Sequence, residues 1–194
     1  MRQPSEDAIT AVLRRLPTPS TGEPKLVCVE GLGGAGKTTL AKELAARSRD
    51  LTLVHGDDFY GPEERDWLSW SPREGYERYF DHRRLERELL RPLKAAGPAT
   101  FQRYDWETNT LDGWVTVEPR GIVLVEGVYL LRRELRSYFD LAIYVDTPRD
   151  LRQQRLHARG ENDEGWIARW AAAEDYYEQA ERPAQAADLI VRGF

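Results

Sequence analysis

Five short runs of mostly apolar residues are spaced along the chain, at residues 26–29, 51–54, 122–125, 141–145 and 189–191. Such runs are typical of strands buried on both faces, whereas a strand with one face in water alternates apolar and polar residues. Segments with helical periodicity separate the runs. Because strands that alternate with helices form parallel sheets with right-handed crossovers, the pattern predicts an α/β fold on a five-stranded parallel sheet.

Apolar residues at helical spacing predict helices between these runs. The predicted helices cover residues 5–16, 37–47, 83–96, 150–159 and about 164–181. Residues 17–24 contain three prolines and are predicted to be a linker, so that residues 1–24 form an N-terminal helix and linker, and residues 25–194 form the main domain. Residues 99–104 and 114–117 alternate apolar and polar, which predicts a small two-stranded excursion with one face in water.

Composition and charge narrow the class of protein. Of the 194 residues, 41% are hydrophobic and 31% charged, and the formal net charge is −5. These values are ordinary for a soluble globular enzyme, and a nucleic-acid-binding protein is more often basic. The single cysteine, Cys28, lies in an apolar run and is predicted to be a buried small side chain. The chain has no signal-peptide pattern and no apolar stretch near the roughly 20 residues that span a bilayer. We therefore expect a cytoplasmic protein with no membrane or nucleic-acid partner.

A glycine-rich segment at residues 31–38 reads Gly-Leu-Gly-Gly-Ala-Gly-Lys-Thr and links the first predicted strand to the next helix. This is the pattern of a phosphate-binding loop, in which glycines let backbone N–H groups approach phosphate oxygens and the helix N-terminus adds its positive dipole. Lys37 is expected to reach the β- and γ-phosphates of a nucleotide, and the Thr38 hydroxyl to ligate Mg²⁺. The residues predicted to bind the nucleotide are Gly31, Gly33, Gly34, Ala35, Gly36, Lys37, Thr38 and Thr39.

Acidic residues follow two of the predicted strands, at the edge of the sheet where ligands bind in open α/β folds. Glu126 follows the third run, and Asp57 and Asp58 closely follow the second. Because phosphoryl transfer to a hydroxyl needs a carboxylate that takes up the hydroxyl proton, Asp57 or Asp58 is a candidate base and a candidate Mg²⁺ ligand. An aspartate that caps a turn is the alternative interpretation. No Asn-Lys-x-Asp segment for reading guanine is present, so ATP is the expected nucleotide.

Six short motifs complete this pattern. They are residues 31–39 (GLGGAGKTT), 57–60 (DDFY), 79–82 (YFDH), 104–106 (YDW), 125–127 (VEG) and 145–147 (VDT). In this order they resemble the uridine kinase-like family of P-loop kinases, from about residue 25 to the C-terminus. The resemblance implies a three-layer α/β/α domain with sheet order 2-3-1-4-5, an acceptor-binding insert at 56–118 and a helical lid at about 152–166. It also implies an ATP-dependent kinase that uses Mg²⁺ and phosphorylates a small acceptor, and related kinases often form homo-oligomers.

Carried over position by position, the resemblance implies a role for each of several residues. It makes Asp57 the catalytic base. The residues implied to stabilise charge on the transferred phosphoryl group are Lys37, Arg155 and Arg159, and the implied metal site consists of Thr38, Asp57 and Glu126. The implied acceptor-binding residues are Asp57, Tyr60, Asp81, Tyr104, Trp106 and Arg152. Asp81 is equally suited to cap the helix that follows it, and a solvated basic face is the alternative for the three arginines.

The sequence departs from the family on the acceptor side. Asn109 stands where the nucleoside kinases have a histidine that helps to recognise the pyrimidine, and Trp67 and Trp70 add an aromatic segment after the second strand. A modified nucleoside, a sugar or a pantothenate-like molecule is therefore an alternative acceptor to uridine or cytidine. The alternative functions are an ATP-binding regulatory module and an ATPase without a small-molecule acceptor.

Overall fold

A five-stranded parallel sheet forms the middle layer of the computed structural model, which describes residues 4–20, 23–61, 69–160 and 163–193. The strands along the chain are β1 (Lys25–Glu30), β2 (Leu51–His55), β3 (Ala99–Asp105), β4 (Thr110–Val117), β5 (Ile122–Gly127), β6 (Leu141–Asp146) and β7 (Leu189–Arg192). The sheet has the order β2-β5-β1-β6-β7, which reads 2-3-1-4-5 when these five strands are counted alone. β3 and β4 form a separate antiparallel hairpin. The predicted fold class and its small β excursion are confirmed.

Helices cover both faces of this sheet. They are α1 (Glu6–Arg15), α2 (Lys37–Arg47), α3 (Pro72–Arg78), α4 (His82–Leu85), α5 (Arg91–Lys94), α6 (Arg149–Arg159), α7 (Glu164–Glu181) and α8 (Pro183–Ala186). A π turn (Glu86–Leu90) joins α4 to α5, and 3₁₀ turns lie at Gly56–Phe59 and Arg136–Tyr138. Within the described ranges, no helix has both the length and the apolar character needed to cross a membrane.

Alternate side chains of β1 enter the two layers that flank the sheet, because successive side chains of a strand point to opposite faces. Leu26 and Cys28 pack with Leu89 of the π turn on one face. Val27 and Val29 pack with Leu40 of α2 on the other. Burial on both faces explains why this strand reads as an uninterrupted apolar run, and the buried position predicted for Cys28 is confirmed.

The N-terminal helix α1 packs in the same layer as α2. Ile9 and Val12 are buried among the apolar side chains of that layer. Glu6 also forms an ion pair with Arg47 at 2.6 Å. An exposed ion pair adds little stability, so the apolar contacts are what hold α1 against the main domain.

The helix predicted at 83–96 forms, but its middle is a π turn rather than continuous α-helix. Pro92 has no backbone N–H and its ring would clash with the carbonyl four residues earlier, so a regular α-helical turn is unfavourable at this point. The π turn ends at Leu90, and Pro92 lies in the first turn of α5, where proline is tolerated. The helical segment begins at His82, one residue earlier than predicted, and ends at Lys94, two residues earlier than predicted.

Candidate active site

The phosphate-binding loop connects β1 to α2, in the strand-loop-helix context that the motif requires. Gly34 and Gly36 have φ angles of +75° and +104°, a region that residues other than glycine rarely adopt. A Cβ on Gly34 would lie 2.6 Å from the carbonyl oxygen of Arg152, so α6 packs directly on the loop. Lys37 begins α2, and its ammonium group donates to the carbonyl of Leu32 within the loop at 3.2 Å.

Two glycines allow the ends of β2 and β5 to approach closely at the carboxyl edge of the sheet. A Cβ on Gly56 would lie 3.0 Å from the carbonyl oxygen of Glu126 and 3.2 Å from the Cα of Gly127. The strand register pairs His55 with Glu126, and the 3₁₀ turn that carries Asp57 follows His55 directly. The fold therefore places Asp57 and Glu126 at the same edge, beside the phosphate loop.

A cavity of about 540 Å³ lies between the phosphate loop and these two acidic residues. Of the residues singled out in the sequence, it is lined by Gly33, Gly34, Gly36, Lys37, Thr38, Thr39, Asp57, Trp106, Glu126 and Arg159. Ala35 is not in the lining because it is fully buried in the core. Gly31 is also outside the lining, and a Cβ there would lie 2.8 Å from the carbonyl oxygen of Val145 in β6.

The pKa values of the two carboxylates in this cavity, Asp57 and Glu126, are shifted in opposite directions. Asp57 opens into the cavity, where the surrounding protein still shields it from bulk water, and this desolvation together with the charge of Glu126 raises its pKa. Burial opposes ionisation of Glu126, but the contact with His55 (Nδ1 to Oε1, 2.7 Å) and the charge of Lys37 outweigh it and lower its pKa. Environments that separate two pKa values in this way assign different roles to the two groups: Asp57 suits a base, and Glu126 a permanent anion.

Asp58, the other candidate base, lies outside the cavity lining. Its pKa is also raised by burial, and it is half-buried. Its backbone carbonyl accepts a hydrogen bond from the guanidinium of Arg84 at 2.6 Å, which fixes the turn. The position of Asp57 in the cavity lining therefore makes it the better candidate for the base.

The oxygens of Thr38, Asp57 and Glu126 fit a magnesium ion that is shared with phosphates. Thr38 Oγ1 donates to Glu126 Oε1 at 3.1 Å, and all three residues line the cavity. Mg²⁺ is usually held by one or two carboxylates together with water and substrate phosphates rather than by a complete protein cage.

Aromatic residues form another part of the cavity wall. Trp106 lines the cavity, and the rings of Tyr60 and Tyr104 lie 4.4 and 4.8 Å from its ring. Both tyrosines are buried, and the Tyr104 hydroxyl donates to Asn109 Oδ1 at 2.8 Å. They therefore support Trp106 from behind instead of lining the cavity themselves.

Of the two tryptophans in the aromatic segment after the second strand, Trp70 packs against Tyr79 with ring centroids at 5.7 Å and is not in the cavity lining. Trp67 lies outside the described residues.

Asp81 caps α4, which was one of its two interpretations. Its carboxylate accepts a hydrogen bond from the backbone N–H of Arg84 at 2.9 Å. It lines a second, much smaller cavity next to His82 rather than the large one. A contact between Asp81 and the acceptor stays a prediction.

The three arginines of α6 do not share one environment. Arg152 is buried, and Arg155 donates to the carbonyl of Gly34 at 2.9 Å. Arg159 alone among the three lines the cavity. Helical spacing does place them on one side of α6, but the first two turns of that side pack against the phosphate loop. The structure therefore leaves Arg159 as the arginine best placed for the phosphates, and the acceptor contact of Arg152 stays a prediction.

Sequence reasoning missed several residues of the cavity. They are Phe80, Val128, Leu156, Trp166 and Trp170. Trp166 and Trp170 lie one turn apart on α7, with ring centroids at 5.1 Å and an interplanar angle of 7°. Their spacing of four residues shows that they share one helix face, but it carries no information about what that face meets.

Glu30, the last residue of β1, holds the segment that follows β5. It is completely buried, and its carboxylate accepts backbone hydrogen bonds from Tyr129 (3.2 Å), Leu130 (2.5 Å) and Leu131 (3.1 Å). Val128, which precedes this segment, lines the cavity. Burial raises the pKa of Glu30 to about 7, against the opposing effects of the Lys37 charge and the backbone N–H groups.

We expect Glu30 to make stability fall as the pH rises. The carboxyl has its ordinary pKa of 4.5 in the unfolded chain and about 7 in the folded protein, so its contribution is complete below pH 4.5 and lost above pH 7. At about 1.36 kcal/mol per pKa unit, the loss is about 3 kcal/mol. Urea titrations of wild type and Glu30→Gln at both ends of this pH range give the difference between their unfolding free energies. We expect this difference, wild type minus variant, to be smaller at the high end than at the low end by this amount. A constant difference would contradict the raised pKa.

Comparison with known proteins agrees with this architecture. The family model described as AAA domain matches residues 27–176, which include the phosphate loop, Asp57 and Glu126. A solved structure described as a possible uridine kinase from Bacillus stearothermophilus is similar to this chain with a TM-score of 0.77 and 29% identity. The similarity covers 95% of this chain and 97% of that one. The fold is thus that of a P-loop kinase.

Proteins of similar sequence indicate which kind of P-loop kinase this chain resembles. The uridine kinase of Brevibacillus brevis is 30% identical over 153 residues, which covers 74% of this chain and 70% of that protein. The uridine kinase of Borreliella burgdorferi is 29% identical over 188 residues, which covers 86% and 85%. The chain therefore belongs to the AAA domain family whose model it matches and to the uridine kinase-like P-loop kinases.

Proposed function

We propose that the protein is an ATP-dependent kinase that transfers the γ-phosphoryl group of ATP to a hydroxyl of a small acceptor. The observation that carries the proposal is the position of Asp57: a carboxylate with a raised pKa lines the same cavity as the phosphate loop. Three tryptophan side chains, Trp106, Trp166 and Trp170, line this cavity as well. Apolar walls exclude water from the reacting centre, which favours transfer to a bound hydroxyl over hydrolysis.

The proposal assigns a residue of the cavity to each step of the reaction. The acceptor hydroxyl gives its proton to Asp57 while its oxygen bonds to the γ-phosphorus, and the bond from this phosphorus to the β,γ-bridging oxygen breaks to leave ADP. Lys37 and Arg159 offset the negative charge on the transferred group. Mg²⁺ held by Thr38 and Glu126 would neutralise phosphate charge when bound.

The acceptor is proposed to be nucleoside-like or another small hydroxyl compound with a flat ring. Trp106 and Trp166, the latter backed by the buried ring of Trp170, offer flat faces on which a ring can stack. The relatives named uridine kinase favour a nucleoside. Asn109 takes the place of the histidine found in nucleoside kinases and is bonded to Tyr104, which favours recognition of the ring by other contacts.

An ADP-release screen tests the proposal. Purified protein is incubated with ATP and Mg²⁺ and with a panel of nucleosides, sugars and vitamin precursors, and the phosphorylated product is measured alongside ADP. We expect ADP release that depends on one class of acceptor and matches the amount of product. Equal ADP release without any acceptor would indicate an ATPase instead, and tight ATP binding without ADP release would indicate a regulatory module.

A further inference from the structure

One buried carboxylate joins the phosphate loop to two neighbouring helices. Glu174 on α7 is 1% exposed, and its Oε1 accepts hydrogen bonds from the backbone N–H of Gly33 and from Trp170 Nε1, the latter at 3.0 Å. Its other oxygen accepts from the guanidinium of Arg152 on α6 at 3.0 Å. Arg152 in turn donates to the carbonyls of Thr147 (3.2 Å) and Gly33 (3.4 Å). The peptide groups on both sides of Gly33 are therefore held by one ion pair.

The packing at Gly33 shows how close this contact is. A Cβ at this position would lie 3.1 Å from Glu174 Oε1 and 3.3 Å from Trp170 Nε1, both tighter than ordinary van der Waals contact. Glycine is thus what allows the carboxylate to reach the backbone of the loop. None of the reaction steps proposed above uses Glu174.

A carboxylate in this place has one of two opposite effects on a nucleotide. If it competed with phosphate for the N–H of Gly33, it would weaken binding; if it held the loop in shape, it would strengthen binding. Displacement of Glu174 would leave the buried charge of Arg152 without its carboxylate partner, and loss of one partner of a buried ion pair is strongly destabilising. The carboxylate is therefore too well bound to act as an exchangeable competitor.

We propose that Glu174 is a positioning residue that holds the phosphate loop in its nucleotide-binding shape and ties it to Trp170 in the wall of the acceptor cavity. A loop whose backbone is already ordered loses less entropy when the nucleotide binds. Because Arg152 and Arg159 lie on the same helix, the ion pair also anchors the element that brings Arg159 to the cavity. The inference rests on the proposed nucleotide-binding role of the loop, but not on transfer to any acceptor.

Calorimetric titration of Glu174→Gln with MgADP tests this role. Glutamine keeps an oxygen for the N–H of Gly33 but loses the charge that pairs with Arg152, and we expect the affinity to fall by about tenfold or more. Glu178→Gln is the matched control, because Glu178 is exposed one turn further along α7 and accepts from the Tyr144 hydroxyl at 3.2 Å. Its affinity should equal that of the wild type. An unchanged affinity of Glu174→Gln would overturn the inference, and an increased one would show a competing anion.

A double variant separates positioning from stability. Arg152→Met combined with Glu174→Gln removes both charges, so the thermal midpoint should recover relative to Glu174→Gln, because no buried charge is left unpaired. The affinity for MgADP should stay low. Recovery of both properties would show that Glu174 is only structural. Wild-type binding without an effect of Glu174→Gln refutes this inference alone, whereas absence of wild-type MgADP binding refutes the proposed function as well.

Discussion

Replacement of Asp57 by asparagine is expected to abolish most phosphoryl transfer while the protein still binds MgADP. Asparagine has nearly the shape of aspartate but cannot take the proton of an acceptor hydroxyl, and a general base contributes about 10²- to 10⁴-fold to the rate. Shielding from bulk water by the surrounding protein, together with the charge of Glu126, raises the pKa of Asp57, which makes it a stronger base for the acceptor hydroxyl. The measurements are kcat with the acceptor found in the screen and the calorimetric Kd for MgADP.

Asp58→Asn is the matched control for this prediction. Asp58 is the next residue in the same 3₁₀ turn, and burial raises its pKa too, but it does not line the cavity. Its variant should therefore keep a rate close to that of the wild type. If Asp58→Asn lost transfer and Asp57→Asn retained it, the base would be Asp58, and the alternative that the sequence left open would be the right one.

The central sheet could be predicted because its signals are local. Strands buried on both faces must be apolar along their whole length, and the run at 26–29 is such a case, with side chains entering both layers. The phosphate loop is local as well, since its glycines, Lys37 and Thr38 are consecutive in sequence. Asp57 and Glu126 were placed at one edge from strand ends alone, because all the strands of the sheet are parallel.

The rest of the site depends on contacts between distant parts of the chain. Glu174 reaches Gly33 across 141 positions, and nothing distinguishes it in the sequence from other acidic residues of α7. The spacing of Arg152, Arg155 and Arg159 gives a common helix side but not the loop that covers two of them. A stripe of charge on a helix predicts only that its members face one way, and their surroundings are decided by tertiary packing.

Replacement of Lys37 by alanine is expected to weaken both nucleotide binding and transfer. Loss of a cation that contacts phosphate in a desolvated site costs about 2–5 kcal/mol, a factor of about 30 or more in the Kd for MgADP. Transfer should fall further, because the charge of Lys37 also lowers the pKa of Asp57 and of Glu126. Without it, both carboxylates bind protons more readily, so less of each stays in the form that accepts a proton or a metal ion.

The matched control is Lys42→Ala, which removes the same charge from an exposed position of the same helix. Since a solvated lysine contributes only a screened, long-range attraction, this variant should bind MgADP within about twofold of the wild type. Equal losses in both variants would mean that net charge, rather than the position of Lys37 in the phosphate loop, governs binding. A Lys37→Ala variant with wild-type affinity would show that this loop does not bind the nucleotide phosphates, because lysine is the residue that supplies the cation at this point of the motif.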